Sequence, residues 1–417
     1  MESFEYRNNS LYCENVLLSK VVEEYATPTY VYSRDAIELG YLAYANALEG
    51  RNDMVCYAMK ANSNIAVLNV LARLGAGFDV VSQGELERVL TAGGQANRIV
   101  FSGVSKQSSE IRRALEVGIH CFNIESESEL IRINAVAEQM AMQAPISFRI
   151  NPNVDAGTHP YISTGLKENK FGIDIEEALR IYQHAASLSN VNIVGMDCHI
   201  GSQLTQIAPF MDAMDKLLVL IDTLAEHGIT LKHLDLGGGL GVCYTDEQPP
   251  SAAEYIGAVL EKIGDRKLSL IFEPGRSIVA NAGVLLTEVE YLKHNESKSF
   301  AIVDAAMNDL LRPALYSAYQ EIIPLQVHED IAKQSYDVVG PVCETSDFLG
   351  KNRELAIAPG DLLAVCSAGA YGFTMSSNYN TRTRATEIMI DDNEIHEIRK
   401  RETFADLVKG EKLLPED

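Results

Sequence analysis

The sequence predicts an α/β protein that combines a (β/α)8 barrel with a second, mainly β domain. Three observations lead to this prediction. Between about residues 27 and 275, short apolar runs alternate with amphipathic segments of helical length. The apolar runs contain few polar residues, which is typical of parallel strands buried on both faces. After about residue 276, short strand-like runs separated by turns replace the helical segments.

Eight apolar runs are the predicted barrel strands. They lie at residues 55–59, 78–81, 99–101, 121–124, 146–150, 193–199, 234–236 and 268–272. The predicted helices between them lie at residues 65–74, 85–91, 109–116, 128–139, 175–187, 210–226 and 252–263. Asn62 or Asn64 can cap the first helix, and Gly75 can end it. A doubly wound open sheet produces the same alternation, so the repeat by itself leaves that fold open.

The second domain is predicted from shorter runs. Its strands are expected at residues 284–289, 299–303, 336–339, 362–364 and 386–390. Residues 1–26 precede the barrel pattern and could pair with this domain. We therefore expect a barrel domain over residues 27–275 and a β domain made of residues 1–26 and 276–417.

Composition narrows the range of partners and the compartment. The 417 residues carry a formal net charge of −23, which opposes binding to nucleic acid or to anionic membranes. The seven cysteines include no CxxC pair, so we expect reduced thiols and no metal site. The polar amino terminus and the lack of long apolar runs indicate a cytoplasmic protein.

Polar residues occur where the predicted barrel strands end. Lys60 follows the first strand, Asp79 lies in the second, His199 ends the sixth and Glu273 follows the eighth. The carboxyl ends of all barrel strands open on one mouth, so we expect these side chains to converge there. A desolvated lysine is a usable amine nucleophile. Taken singly, however, Lys60 could be an ordinary surface lysine and His199 a core histidine.

Two glycine-containing segments also fall at strand ends. Gly237, Gly238 and Gly239 could form only a tight turn, or they could let backbone N–H groups approach a phosphate. Their spacing does not match the dinucleotide fingerprint. In the segment Glu273-Pro274-Gly275-Arg276, the carboxylate could pair with Arg276 or with a pyridinium nitrogen, which it would keep protonated.

The second domain contributes further candidates. Cys343 and Glu344 place a thiol beside a carboxylate, although a lone cysteine is more often a small buried hydrophobe. Tyr371 lies in the glycine-rich run Gly369-Ala370-Tyr371-Gly372. Arg312, in the segment RPALY that ends at Tyr316, offers a planar donor suited to a carboxylate.

Taken together, these segments resemble the motifs of fold-type III pyridoxal-phosphate decarboxylases. The matching segments occur in the family's order and span most of the chain: YAMKAN from Tyr57, HIGSQ from His199, GGG from Gly237, EPGR from Glu273, RPALY from Arg312, GPVCE from Gly340 and GAYG from Gly369. RPALY and GPVCE are similar to the branch of the family that acts on diaminopimelate. Two departures are Thr345, where serine is expected, and Gln320, where histidine is common.

The resemblance implies a role for each residue. Lys60 would hold pyridoxal 5'-phosphate covalently, Glu273 would pair with its ring nitrogen and His199 would stack on the ring. The cofactor-binding set that the resemblance implies also includes Asp79, Ser202, Gly239, Gly275, Arg276 and Tyr371. The substrate would be bound by Arg276, Arg312, Tyr316, Glu344 and Tyr371. Cys343 would donate a proton after CO2 leaves, acting from the partner subunit of a homodimer with shared active sites.

The implied reaction is decarboxylation of meso-2,6-diaminopimelate to L-lysine, and Arg312 and Glu344 suit the distal carboxylate and ammonium of that substrate. An ornithine- or arginine-type decarboxylase on the same fold is the nearest alternative. An amino-acid racemase is disfavoured because Cys343 would have to replace the usual tyrosine base. A non-catalytic regulatory homologue is disfavoured because Lys60 and Cys343 are both present.

Overall fold

The computed structural model describes residues 3–154 and 169–415. The chain forms two compact units, one of residues 37–278 and the other of residues 1–36 with 279–417. The strand Thr29–Ser33 belongs to the second of these units, because it pairs with Gly283–His294 and with Thr386–Asp391. The domain boundary predicted at residue 27 therefore lies before a strand that belongs to the β unit.

The first unit is a closed parallel barrel, as predicted. Its strands, called the first to eighth barrel strands below, are Met54–Ala58, Gly77–Val80, Ile99–Phe101, Cys121–Ile124, Ala144–Asn151, Val191–Asp197, His233–Asp235 and Ser269–Phe272. Each pairs in parallel with the next, and the eighth pairs with the first through Ile271 and Met54. This closure excludes the doubly wound open sheet, since an open sheet leaves its two edge strands unpaired.

Helices surround the barrel; seven of them lie at the predicted places, whereas the helix Arg34–Ala47 was not predicted. They span Arg34–Ala47, Ile65–Arg73, Gln83–Thr91, Ser108–Val117, Glu127–Gln139, Ile175–Ala186, Ala208–Glu226 and Ala252–Ile263. Local chemistry sets their ends. The side chain of Asn64 accepts a hydrogen bond from Ala66 N at the start of one helix, and Ser251 and Glu254 form a capping box at the start of another. No helix among the described residues is long and apolar enough to cross a lipid bilayer.

The second unit is built on a mixed sheet. The long strand Gly283–His294 lies at its centre and pairs antiparallel with three others. The remaining strands of this sheet are Thr29–Ser33, Ser299–Val303, Ile322–Pro324, Gln334–Val339, Phe348–Leu355, Leu362–Val365, Thr386–Asp391 and Glu394–Arg399. A small three-stranded sheet is formed by Phe4–Arg7, Ser10–Cys13 and Val16–Leu17. Its members and the mixed sheet share one apolar cluster that includes Leu11, Leu18 and Leu286.

Candidate active site

The mouth of the barrel brings an amine and a buried carboxylate into contact. Lys60 lies in a single helical turn directly after the first strand, and its Nζ is 2.7 Å from Asp79 Oδ2. The Asp79 side chain is fully buried, whereas the Lys60 side chain is 38% exposed. The ion pair therefore holds an amine that a small molecule can reach. The second oxygen of Asp79, Oδ1, has no hydrogen-bond partner within residues 3–154 and 169–415.

Three further carboxylates meet inside the barrel. One oxygen from each of Asp197, Asp235 and Glu273 lies within 4.8 Å of the other two. Burial raises the pKa of Glu273 well above its ordinary value, and repulsion from Asp235 adds to the shift. Burial likewise raises the pKa of Asp235, to about 6. Burial and mutual repulsion therefore favour the protonated forms of these carboxyls, and a nearby cation would oppose that shift.

Asn123 connects this cluster to the neighbouring strand. Its Nδ2 donates to Ser102 Oγ at 3.2 Å and reaches Asp235 Oδ2 and Glu273 Oε1, each at 3.5 Å. The backbone N–H of Gly237 donates to Asp235 Oδ1 at 2.9 Å. These contacts hold the carboxylates in fixed positions, so their charges are preorganised for a bound group.

His199 is held as a neutral imidazole beside the glycine-rich turn. Burial lowers its pKa well below the ordinary value, and the charges of Arg149 and Lys60 lower it further. The Gly238 N–H donates to Nδ1 at 3.1 Å, so the neutral ring carries its proton on Nε2. The ring is thus fixed in one tautomer at the mouth of the barrel.

The turn after the seventh strand can exist only with glycine at its centre. A Cβ on Gly238 would lie 2.2 Å from the carbonyl oxygen of Glu273, and one on Gly239 would lie 2.5 Å from that of Gly201. Gly237 and Gly239 also adopt positive φ angles of 61° and 113°. The close approach of these backbones creates a cradle that a side chain would fill, as a phosphate-binding turn requires.

Arg276 and Ser202 form a hydrogen-bonded pair of side chains in this unit. Arg276 NH2 donates to Ser202 Oγ at 3.0 Å, and Arg276 NH1 donates to Tyr244 OH at 2.6 Å. The sequence left open that Arg276 pairs with Glu273. These two hydrogen bonds instead join Arg276 to Ser202 and Tyr244. A guanidinium and a hydroxyl beside a glycine turn are donors suited to phosphate.

In the second unit, Cys343 and Glu344 lie on a loop. The loop that carries Cys343 and Glu344 is held by Asp347, whose carboxylate accepts from Met307 N at 2.7 Å and from Val342 N at 2.6 Å. Cys343 and Glu344 themselves are exposed. Glu344 accepts from Tyr379 OH at 2.5 Å and from Ser346 Oγ at 2.9 Å, and these hydrogen bonds lower the pKa of its carboxyl.

The other candidates of the second unit occupy two different segments. Arg312 is buried at the start of the short helix Arg312–Tyr316, and Tyr316 at its end is half-buried. Tyr371 has a φ of 54°, which is strained for a tyrosine. Its neighbour Gly369 must be glycine, because a Cβ there would lie 1.9 Å from the carbonyl oxygen of Val279.

The sequence patterns did not identify several residues that the structure places among these candidate site residues. Asp197 and Asp235 are the last residues of the sixth and seventh strands, so the strand-end rule that identified His199 and Glu273 could have found them. Asn123 lies inside the fourth strand, where no such signal exists. Tyr379 belongs to an exposed turn next to Asn380 and Thr381, both with a φ of 56°. That strain is visible only in the structure.

Fold and site together define a class of protein: a (β/α)8 barrel with a reachable lysine amine at its mouth and a group of buried carboxylates inside it. Residues 34–280 match the family model described as "Pyridoxal-dependent decarboxylase, pyridoxal binding domain". The glycine cradle, the Lys60 amine and the buried carboxylates fit pyridoxal 5'-phosphate, which is the cofactor of this family.

Relatives over the whole chain narrow the class. The chain is 62% identical over 416 residues to the diaminopimelate decarboxylase of Pseudomonas aeruginosa, covering 100% of both chains. It is 58% identical to that of Haemophilus influenzae, covering 98% of both. The chain therefore belongs to the diaminopimelate decarboxylase family of pyridoxal-dependent decarboxylases.

Solved structures agree with this assignment. The diaminopimelate decarboxylase of Helicobacter pylori, complexed with L-lysine, is 44% identical with a TM-score of 0.91, covering 94% of this chain and 98% of the other. That of M. jannaschii, also in complex with L-lysine, is 40% identical with a TM-score of 0.95, covering 99% and 98%. The predicted barrel and second β domain are confirmed.

Proposed function

We propose that this protein decarboxylates meso-2,6-diaminopimelate to L-lysine and CO2 with pyridoxal 5'-phosphate as its cofactor. The observation that carries the proposal is the contact between the reachable Lys60 amine and buried Asp79, beside the carboxylate cluster that contains Glu273. Membership of the diaminopimelate decarboxylase family gives the substrate. When bound, the cofactor supplies an electron sink for the electrons that remain when CO2 leaves.

The barrel residues suit the binding of this cofactor. Lys60 would hold it through its ε-amine, and Glu273 would accept the ring N–H, which keeps the ring cationic. A cation at that position also offsets the repulsion among Asp197, Asp235 and Glu273. His199 would pack on the ring as a neutral, fixed imidazole. Ser202, Gly239, Gly275 and Arg276 would hold the phosphate.

Residues of the second unit would bind the substrate and supply a proton to it. Arg312 would bind a carboxylate, and Glu344, kept ionised by its two hydrogen bonds, would bind an ammonium. Tyr316, Tyr371 and Arg276 would complete the substrate site. The Cys343 thiol is exposed, so it can deliver a proton to a bound substrate carbon after CO2 departs.

A substrate panel tests this proposal. Purified enzyme with added pyridoxal phosphate is incubated with meso-diaminopimelate, ornithine, arginine or lysine, and the amine products and CO2 are quantified. We expect lysine from diaminopimelate and little product from the others. These lack a distal carboxylate for Arg312, and leaving a buried donor unpaired is costly. Faster turnover of ornithine or arginine would refute the proposed substrate.

We further propose a homodimer in which each active site uses Cys343 and Glu344 from the partner subunit. The exposure of both residues supports this, since proton transfer to a reactive carbon works best where water is excluded. Mixing inactive Lys60→Ala and Cys343→Ala proteins should restore activity. Random exchange makes about half of the dimers mixed, each with one intact site, so recovery should reach roughly a quarter of wild type.

Subunit exchange in that mixture is confirmed with two affinity tags. Exchange without recovered activity would place Cys343 and Lys60 in the same subunit's site or remove Cys343 from catalysis. A cytoplasmic location completes the proposal. It is supported by the seven cysteines, all of which are free thiols.

A further inference from the structure

A buried group of nitrogen and sulfur atoms lies at the opposite end of the barrel interior from the active site. His120 precedes the fourth barrel strand, Cys121 begins it and His233 begins the seventh. These are the amino-terminal ends of strands, whereas Lys60 and Glu273 follow carboxyl-terminal ends. One ligand atom from each of His120, Cys121 and His233 lies within 4.8 Å of the other two.

One buried ring nitrogen of His120, Nε2, lacks a hydrogen-bond partner among the described residues. Burial lowers the pKa of His120, which favours the neutral ring, and the backbone of Asn97 opposes this shift. A neutral imidazole nitrogen that no hydrogen bond uses is available to bind a metal ion.

The His233 ring occupies space that is open because the adjacent strand has a glycine, Gly195, at the paired position. Cys121 Sγ lies 3.9 Å from His233 Nε2, and the rings of His120 and His233 are 5.2 Å apart. Gly195 pairs with His233 in the adjacent strand, and a Cβ on Gly195 would lie 2.0 Å from His233 Nε2. Any other residue at position 195 would therefore displace the ring from Cys121.

Charged groups lie on two sides of this group of ligand atoms. A cavity of about 340 Å³ adjoins the group; its lining includes Arg98 and Lys232, which oppose a cation, and Asp53, which favours one. On the inner side, Cys121 Sγ contacts Asn123 Oδ1 at 3.8 Å, and Asn123 in turn reaches the carboxylates of Asp235 and Glu273. A divalent ion that displaces the thiol proton adds a single net charge, which this carboxylate cluster can balance.

We propose that His120, Cys121 and His233 form a binding site for a zinc-type divalent ion, with water from the cavity as the fourth ligand. Two imidazoles and a thiolate are soft ligands that favour zinc over magnesium or calcium. Binding forms the metal–sulfur bond and releases the thiol proton to solvent. The ion would join the fourth and seventh strands, which are not neighbours in the barrel, and would therefore stabilise the closed barrel.

Cobalt substitution tests the site directly. The holoenzyme is dialysed against a chelator and then titrated with Co²⁺ alone, with its pyridoxal-phosphate absorbance monitored throughout. We expect about one Co²⁺ per chain and a thiolate-to-cobalt charge-transfer band in the difference spectrum, which added Zn²⁺ abolishes. The apparent melting temperature of the barrel should rise with Zn²⁺. Absence of the band at excess Co²⁺ would overturn the proposal.

Matched variants identify the ligands. Cys121→Ser should remove the charge-transfer band, and His233→Gln should weaken Co²⁺ binding by at least about tenfold. Cys243→Ser and Cys343→Ser, which change the two exposed thiols, should leave the band unchanged. A band that persists in folded Cys121→Ser would overturn the proposal. If that variant does not fold, X-ray absorption of the Zn²⁺-loaded wild type decides, since the site requires one sulfur at about 2.3 Å.

Discussion

The barrel unit and the second unit present their candidate residues in opposite ways. In the barrel, Asp235 and Glu273 are buried, and desolvation raises the pKa of both carboxyls. In the second unit, Glu344 is exposed, and hydrogen bonds from Tyr379 and Ser346 lower the pKa of its carboxyl. Among these candidate residues, burial controls the charge of Asp235 and Glu273, whereas local hydrogen bonds control the charge of Glu344.

This difference sets the size of the effects to expect. When a buried charge loses its partner, water cannot replace the lost interaction. Substitutions that remove such a partner in the barrel should therefore have large effects on activity. An exposed charge keeps most of its solvation, so substitutions on the loops should have moderate effects. The five predictions that follow test this contrast, from the largest effect to the smallest.

Lys60→Ala should abolish cofactor attachment and lower turnover by at least about a thousandfold. The substitution removes the amine and also leaves the fully buried Asp79 carboxylate without its ion pair. Visible absorbance of the purified protein and lysine formation measure the two effects. Lys216→Ala, which removes a lysine that donates to backbone carbonyls, is the matched control. Wild-type absorbance and turnover in Lys60→Ala would assign the cofactor to another lysine.

Glu273→Gln should lower kcat by roughly a hundredfold with a smaller change in KM. A neutral amide cannot keep the ring nitrogen protonated, and that interaction matters most in the transition state. Steady-state kinetics with diaminopimelate measure both constants. Glu254→Gln, in an exposed helix cap, controls for loss of a carboxylate elsewhere in the barrel. An unchanged kcat with a raised KM would contradict the role given to Glu273.

Arg312→Leu should reduce the preference for diaminopimelate over lysine by about ten- to a hundredfold, since hydrogen bonds to charged groups contribute about 1.5–3 kcal/mol. Arg312 is the one buried residue among the substrate-site candidates of the second unit, so it tests whether burial rather than location controls the effect. The ratio of kcat/KM values measures the preference. Arg312→Lys retains the positive charge and should therefore retain part of the preference for diaminopimelate. Equal preferences in wild type and Arg312→Leu would exclude this role.

Asp235→Asn should stabilise the cofactor-free barrel at alkaline pH. Burial raises the pKa of Asp235 from 3.8 to about 6, so the folded state binds the proton more tightly than the unfolded state. The free energy of unfolding of the wild type therefore falls as pH rises between about 4 and 6, and the penalty is complete above that range. An asparagine has no such penalty.

Urea unfolding at pH 4 and pH 8 measures this effect. We expect the advantage of Asp235→Asn to grow by on the order of 1–3 kcal/mol between the two values. Asn can still accept the hydrogen bond from Gly237 N, so backbone geometry should be retained. An advantage that is the same at both pH values would show that Asp235 does not titrate in this range.

Tyr379→Phe should raise KM by roughly three- to tenfold with little change in kcat, because the variant loses the hydrogen bond to Glu344. Tyr379 would act by positioning Glu344 and keeping it ionised. The pH at which KM begins to rise on acidification should therefore shift upward in the variant. Tyr291→Phe, at an exposed strand position, is the control. A kcat effect as large as that of Glu273→Gln would remove the contrast between the two units.

Most elements could be predicted from the sequence because their signals are local. The helix predicted at residues 65–74 spans Ile65–Arg73, and the one predicted at 252–263 has those same bounds. Strands with mixed composition were missed. Phe348–Leu355 contains exposed Lys351 and Glu354 and half-buried Arg353, so its apolar run is too short to recognise. Thr29–Ser33 is apolar enough, but nothing in its own residues shows which sheet it joins.

The sequence by itself determined the repeat of eight strands and helices, the lysine and carboxylates at strand ends, and the motifs that identify the family. Only the tertiary structure decided which of these groups meet. The Lys60–Asp79 ion pair, the group of Asp197, Asp235 and Glu273, and the group of His120, Cys121 and His233 each join residues from different strands. Periodicity and helix caps depend on residues that are close in the sequence. The distances within these groups depend instead on how the sheet twists and closes.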